Sequence, residues 1–589
     1  MAAEPELAVL LERLVAHGLA GVLTRYLADA SPEALARCLR ESAGVDPERV
    51  RLHRELLRKS ALAPLGPEDV LPVAMTALEE QPARSAEDAR AGLAALAAGQ
   101  VASVALAGGA GTRFFSSLDE LAASQPHPNE AQRTGRFDGS EPKGSFPISP
   151  VRGLTFYELL VCEALAVAAR TGRLPWVLLL TSRLTHERTL AHLGRAELWG
   201  FPAGGCLAFR QAEEPRLDPQ GDLVVADDRG GLVFTGDGHG GVYRALLAPR
   251  PDGPCLLERL RADGVRHLVL HNVDNAAARP FHPDRIGFHV REGADFTLSA
   301  TRKVDPDEKV GVPMRLKTSG RVEVVEYNVI DPAIASLRDP RTGRLVHEAA
   351  HINTNLVALD AVRVELEPTL YTGKRIDSRR GPVESSSLEL LNQHLTRLLE
   401  PDRVRAYEVS RAEFFMPTKN VTGVDSAVST QTALSRLAAG RLAAAGAQVA
   451  EEAVCDLSPA CEAEADAMSR LGIGPGWRLE PGSRLYLCAR LGAREGEPVG
   501  APGLALEQGA SLLLESALPF GGVALGEKRQ VRMEPARASR ATLGRDVRVQ
   551  AGVRVRLRIG PGASLRVRPG RTFAGDTDIE VGPGESLEI

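Results

Sequence analysis

The sequence predicts an α/β fold: an open, mixed but mostly parallel sheet, preceded by a helical region and followed by a β-rich one. Three observations carry this expectation. Short apolar runs recur at "VASVALAGG" (101–109), "WVLLLTS" (176–182), "HLVLHNVDN" (267–275) and "RVEVVEYNV" (321–329), as strands buried on both faces require. Helical stretches such as "LTFYELLVCEALAVAARTG" and "CLLERLRADG" lie between several of them, and strand–helix alternation favours a parallel sheet. From about Pro475 the chain turns Gly- and Pro-rich, with period-two alternation in "VRVRLRI".

Taken in order, residues 1–100 repeat leucine and alanine at helical spacing and predict a helical N-terminal region. The opening "MAAEPELAVLLERLV" has Glu4 and Glu6 where a signal peptide needs basic residues, so it reads as an amphipathic helix. Residues 101–425 form the sheet-bearing domain, in which ligands are expected at the carboxyl ends of the strands. A helical connection over 426–474 and a β-rich accessory domain over 475–589 complete the chain. In that last domain "GPGASL" (560–565) is echoed 22 residues later by "GPGESL" (582–587), and "GASL" also occurs at 509–512. Stacked β turns or a small sandwich are expected, serving packing or self-association; the copies are too few to assign a β-helix.

At 589 residues the chain is long enough for two to four domains. Seventy-one basic residues against 76 acidic ones give a net charge of −5, which argues against a chain-wide nucleic-acid or membrane-surface role. Seven dispersed cysteines predict reduced thiols and a cytoplasmic location, with Cys455 and Cys461 read as two core positions on a helix. No apolar stretch reaches the length of a membrane span.

One loop carries candidate chemistry. In "ALAGGAGTRFF" the glycines Gly108, Gly109 and Gly111 follow a strand and precede Thr112 and Arg113. Glycines at a strand end let backbone N–H groups turn outward without Cβ obstruction, forming a concavity for anions. Arg113 and, further on, Lys143 in "EPKGSFP" are the cations available to such an anion. Neither G-x-x-x-x-G-K-[ST] nor G-x-G-x-x-G is present. On its own the loop is compatible with a phosphate site or with a plain turn.

The loop has company. "LAGGAGTR…EPKG", "AFRQAEEPRLD", "GDGHGGVYRALL", "HNVDNAAARPFHPDRIGFHV", "EKVGVPMR…VEVVEYNVID", "HINTNLVALD" and "YEVSRAEFFMPTKN" follow one another along the chain. In this order they resemble the eukaryotic-type UDP-sugar pyrophosphorylases, the family of UDP-N-acetylglucosamine and UDP-glucose pyrophosphorylases, from about residue 5 to about residue 450. The resemblance implies a Rossmann-like nucleotidyltransferase core that converts UTP and a sugar 1-phosphate to a UDP-sugar and pyrophosphate. A sugar phosphate with its second pKa near 6 is largely a dianion at neutral pH. It can attack the α-phosphorus unaided, so alignment and charge neutralisation are what the protein must supply.

By the same resemblance Gly108, Gly109, Gly111 and Thr112 surround UTP, Arg113 and Lys143 meet its phosphates, and Gln211 reads the uracil edge. Gly238, His239 and Gly240 bring backbone close to nucleoside and sugar, and Glu326 and Asn353 bind sugar hydroxyls. Asp274 holds Mg²⁺, and Lys419 binds the transferring phosphate. The sequence departs from the family pattern in an insertion over 114–140, in Phe115 where a glycine is usual, and in mixed sugar motifs. Glucose 1-phosphate stands first as the sugar substrate and N-acetylglucosamine 1-phosphate second. The alternatives are a non-catalytic UDP-sugar or UTP-binding regulatory protein on the same fold and a scaffold built on the C-terminal domain.

Overall fold

Eight strands form the central sheet of the computed structural model, which describes residues 4–59, 65–109, 111–115, 120–121, 128–133, 141–195, 201–251, 253–459, 473–488, 490–491, 503–516, 522–534 and 539–589. From edge to edge they are Met75–Thr76, Val404–Glu408, Phe296–Arg302, Ala349–Ala358, His267–Asn272, Val101–Leu106, Trp176–Thr181 and Cys206–Arg210. Every neighbouring pair is parallel except the two made by Ala349–Ala358, which runs antiparallel to both its neighbours. The inner strands Val101–Leu106 and Trp176–Thr181 are mostly apolar because helices cover both faces: Trp176–Thr181 is buried at every position. One face packs on Val242, Leu246, Leu257 and Leu260 of two short helices. The other packs on Ala95 and Leu96 of the helix Ser85–Ala97 and on Leu160 and Ala164 of Phe156–Thr171. The boundaries of Phe156–Thr171 are written locally. Thr155 and Glu158 form a reciprocal capping box, and Gly172 ends the helix at φ +71°.

Two expectations about this part are corrected. The run 321–329 supplies the strand Val322–Val325, but in a separate antiparallel sheet with Val312–Leu316 and Val70–Pro72. Its side chains pack to both sides of that sheet, Val322 and Val324 into the cluster under the central sheet and Val325 with Val70, Val312 and Met314 into a cluster of its own. The N-terminal region is helical over Glu4–Ala16, Gly21–Tyr26, Pro32–Ser42, Pro47–Arg58 and Ser85–Ala97, yet its strand Met75–Thr76 extends the central sheet.

The C-terminal part is not a sandwich; its strands and turns stack. It is a parallel β-helix with three sheets along its length. One joins Gln448–Val449, Trp477–Leu479, Leu504–Leu506, Val547–Val549 and Thr572–Phe573; a second joins Val454–Leu457, Arg484–Cys488, Ser511–Ser516, Arg554–Ile559 and Thr577–Val581. The third joins Arg490–Leu491, Arg540–Leu543, Ser564–Val567 and Ser586–Glu588. All pairings within these three sheets are parallel. The 22-residue echo is one coil: Ser564 pairs with Ser586 and Leu565 with Leu587. The copy at 509–512 belongs to the second sheet, so it does not stack on these two. In "RVRLRI" Val555, Leu557 and Ile559 point inward and the arginines outward. The first coil already begins at Gln448, so among the described residues of 426–474 the helix spans Ala427–Ala444. Cys455 lies on the strand Val454–Leu457, not on a helix, and Cys461 lies outside the described residues.

No helix among the described residues is long and apolar enough to cross a membrane.

Candidate active site

The carboxyl ends of the parallel strands converge where the sequence motifs lie. After Val101–Leu106 the chain enters the glycine loop, and Thr112–Phe115 forms a single helical turn. A Cβ on Gly108 would lie 2.8 Å from Gln211 Oε1, and one on Gly236 only 1.5 Å from Gln211 Nε2. The Gln211 amide, just past the strand Cys206–Arg210, is therefore clasped between two backbone segments that any side chain would push away. At Gly109 a Cβ would meet no described atom within 4 Å, so the loop presents bare backbone to open space there. Gly111 takes φ +63° and packs against the ring of Phe115, the residue that departs from the family pattern.

Two residues beyond His267–Asn272, Asp274 receives two ammonium groups. Lys143 Nζ lies 2.7 Å from Asp274 Oδ2, and Lys419 Nζ lies 2.9 Å from both oxygens. Asp274 is buried, Lys143 is largely covered, and the side chain of Lys419 is half exposed. Burial pushes the Lys143 ammonium below its usual value, against the pull of Asp274, and Lys419 adds to the lowering. Burial acts the other way on Asp274 and would raise its carboxyl, but Lys419 and Lys143 together outweigh it and hold the carboxyl below the usual range. Two cations on one carboxylate leave a net positive charge where a polyanion would enter.

An amide network continues from Asn272. Asn353, in the left-handed region at φ +51° within a bulge of its strand, donates to Asn272 Oδ1 at 2.9 Å. Asn392 Nδ2 donates to Asn353 Oδ1 at 2.9 Å, and Asn355 Nδ2 to Asn392 Oδ1 at 2.9 Å. The backbone N–H of Asn392 donates to His239 Nδ1 at 3.1 Å. That contact makes Nδ1 an acceptor and places the ring proton on Nε2. Burial, with smaller contributions from His351, His394 and Lys419, lowers His239 to about 3, so its imidazole is neutral at physiological pH. Gly238, at φ +87°, and Gly240 let this loop lie flat on the backbone of Leu390 and Leu391, 2.4 and 2.7 Å from where their Cβ atoms would be. Glu326 joins through Gln393, whose Nε2 donates to Oε1 at 3.0 Å; burial raises the Glu326 carboxyl, and that hydrogen bond offsets part of the rise.

Gly108, Gln211, Gly238, His239, Gly240, Asn353, Asp274, Lys143, Lys419, Gly111 and Glu326 are thus joined through shared contacts into one region, with Gly109 at its open side. The side chains of Thr112 and Arg113 lie outside the described residues. Sequence reading missed Asn392, Gln393, Asn355 and Gly236. The first two lie in the turn Asn392–Arg397 after the Ser- and Glu-rich strand Gly381–Glu389, where nothing in the local pattern marks them. Among the described residues no group of three or more His, Cys, Asp or Glu could hold a metal. A lone carboxylate such as Asp274 fits Mg²⁺ as a shared ion, since Mg²⁺ commonly takes one or two carboxylates and completes its shell with substrate phosphates and water.

A glycine loop, a lysine-flanked carboxylate and a chain of hydrogen-bonded amides thus lie at the strand ends of an α/β unit that is followed by a β-helix. The family model described as UTP–glucose-1-phosphate uridylyltransferase matches residues 134–458, more than half of the chain, and the chain belongs to that family. It is 27% identical over 463 residues to UDP-N-acetylglucosamine diphosphorylase 2 of Arabidopsis thaliana, covering 74% of this chain and 85% of that protein. It is 27% identical to the UDP-N-acetylglucosamine pyrophosphorylase of Saccharomyces cerevisiae over 392 residues, covering 63% and 75%. Among solved structures, the uridine diphosphate N-acetylglucosamine pyrophosphorylase of Trypanosoma brucei aligns with a TM-score of 0.62 over 78% of this chain and 94% of that one, at 23% identity. That last likeness is one of fold.

Proposed function

We propose that the protein is a UDP-sugar pyrophosphorylase, transferring the uridylyl group of UTP to a sugar 1-phosphate. A phosphate oxygen of the sugar phosphate forms a bond to the α-phosphorus, the α–β bridging P–O bond breaks, and pyrophosphate leaves with its electron pair. The observation that carries this reading is the meeting of Lys143 and Lys419 on Asp274 beside an open glycine loop. No nucleophilic side chain is needed, because the attacking group is already anionic. What the site offers is charge and position.

In this reading the backbone of Gly108–Gly111 lies along the phosphates, with Thr112 and Arg113 beside it, and Gln211 pairs with the uracil edge. Lys143 turns from Asp274 to the phosphates of UTP, and Lys419, the more exposed of the two, to the transferring phosphate. Mg²⁺ brought in by UTP would meet Asp274 and would neutralise phosphate charge. His239, neutral with its proton on Nε2, donates to a sugar or ribose oxygen, and Asn353 and Glu326 bind sugar hydroxyls. The names of the relatives matched over most of the chain support N-acetylglucosamine 1-phosphate as the first sugar substrate, ahead of glucose 1-phosphate. Use of free UTP accords with a cytoplasmic enzyme.

The test is a panel of sugar 1-phosphates with UTP or TTP, scored for pyrophosphate. Release with UTP and one hexose 1-phosphate is expected, and with TTP little. Thermal stabilisation by UTP without turnover on any sugar would replace the enzyme by a sensor.

A further inference from the structure

The β-helix grips the segment that carries Lys143. Asp456, on the first coil, is 4% exposed, and its Oδ2 accepts three hydrogen bonds from one turn of the α/β unit. The donors are Ser149 Oγ at 2.7 Å, Val151 N at 3.0 Å and Arg152 N at 2.9 Å. Ser149 Oγ in turn accepts from Leu154 N at 2.8 Å, closing the turn. Later coils add to the grip. Arg152 Nε donates to Glu515 Oε1 at 2.8 Å, Arg556 Nη1 donates to Glu130 Oε1 at 3.2 Å, and Arg484 Nη2 donates to the carbonyls of Pro128 and Pro150. Arg152, Glu130 and Glu515 are all buried. Burying charges is a poor way to gain stability, because their desolvation offsets most of the attraction. What such bonds do fix is direction.

The other end of the gripped turn is the site itself. Lys143–Ser145 is a single 3₁₀ turn, and Gly144 lies so close to Tyr157 that a Cβ would fall 2.2 Å from the ring. Phe146 and Ile148, between Lys143 and Ser149, pack in one apolar cluster with Phe114 of the glycine-loop turn and Val421 just past Lys419. Between the Asp456 contacts and the Lys143 ammonium there is only this short, tightly packed stretch.

We infer that the C-terminal β-helix sets the position of Lys143, and that Asp456 is the positioning residue through which it does so. The inference rests on the reading that Lys143 meets substrate phosphate. A reacting group displaced by 1 Å can lose on the order of 100-fold in rate, and a domain held by directional bonds to the loop of a catalytic cation prevents such displacement.

The experiment uses the full chain with Asp456→Asn, and Glu515→Gln as a second variant should the first fail to fold. Asp576→Asn, an exposed partner of Arg554 remote from the turn, is the control. Backbone hydrogen exchange over 141–158 is measured together with kcat and KM. Faster exchange in that segment is expected, with kcat lower by ~10- to 100-fold and KM for UTP changed far less, and neither effect in Asp576→Asn. In a Lys143→Ala background, Asp456→Asn should bring little further loss, because both changes act through one ammonium. Unchanged exchange in both variants, or losses that simply add in the Lys143→Ala background, would overturn the inference. If the wild type proves inactive while exchange still rises, the functional reading fails and the coupling stands.

Discussion

Replacing Asp274 by asparagine removes the one negative charge between two lysines and keeps the side chain's shape. Removing one partner of a buried ion pair destabilises by about 3–5 kcal/mol, because the other charge is left uncompensated. Lys419, with half its side chain exposed, can turn to solvent, whereas Lys143 is 11% exposed and cannot. The loss at neutral pH therefore falls at the lower end, about 3 kcal/mol, and belongs to Lys143. Its pH dependence follows from the direction of the Lys143 shift. Burial already lowers that ammonium from 10.5, and without Asp274 the opposing pull is gone. Between the lowered folded value and 10.5 the unfolded chain binds more protons, so stability rises with pH across that window. The deficit of Asp274→Asn should then shrink from pH 7 toward pH 10. On the acid side the wild type loses the contribution of Asp274 as pH falls through its lowered carboxyl value, so the gap narrows there too. Urea denaturation from pH 2 to pH 10 measures it, with Asp274→Asn/Lys143→Met expected to regain most of the loss and to lack the alkaline slope. A deficit constant across that range would refute the reasoning.

Three further outcomes are expected. Gly238→Ala introduces a Cβ 2.4 Å from the Leu390 carbonyl at φ +87°, so a loss of about 2 kcal/mol or more is expected in the melting transition, with raised KM for both substrates. Because His239 is held neutral down to about 3, the kcat/KM profile for the sugar phosphate should show no inflection from this histidine between pH 5 and pH 8; an inflection that disappears in His239→Asn would contradict the assignment. Excess EDTA should stop turnover and leave the circular dichroism spectrum unchanged, and full activity in the chelator would remove Mg²⁺ from the account.

The strands 101–106, 176–181 and 267–272 were legible because burial on both faces writes a short, mostly apolar run without helical or alternating period. The site residues on strand ends, Asp274 and Gln211, were legible only through the motifs around them. Asn392 was not, because a buried amide leaves no period in the sequence and its partners, Asn353 and His239, lie far away in the chain. The β-helix was half legible. One coil repeats as "GPGASL" and "GPGESL", but the hairpin Gly522–Leu525/Val531–Glu534 stretches the coil before it and hides the period. That hairpin brings Arg529 onto the Trp176 ring at 4.1 Å and onto the carbonyls of Leu174 and Gly205. Such a contact links positions more than 300 residues apart, and no local pattern encodes it.

The central claim is that Lys143, Asp274 and Lys419 form the charged centre of a uridylyl transfer. Pyrophosphate released from UTP in the presence of N-acetylglucosamine 1-phosphate or glucose 1-phosphate, compared between the wild type and a folded Lys419→Ala, tests it most directly. The account predicts turnover in the wild type and a kcat lower by roughly 100- to 1,000-fold in the variant, the scale of losing one charge-stabilising group at the reacting centre. Equal turnover in the two proteins would contradict it.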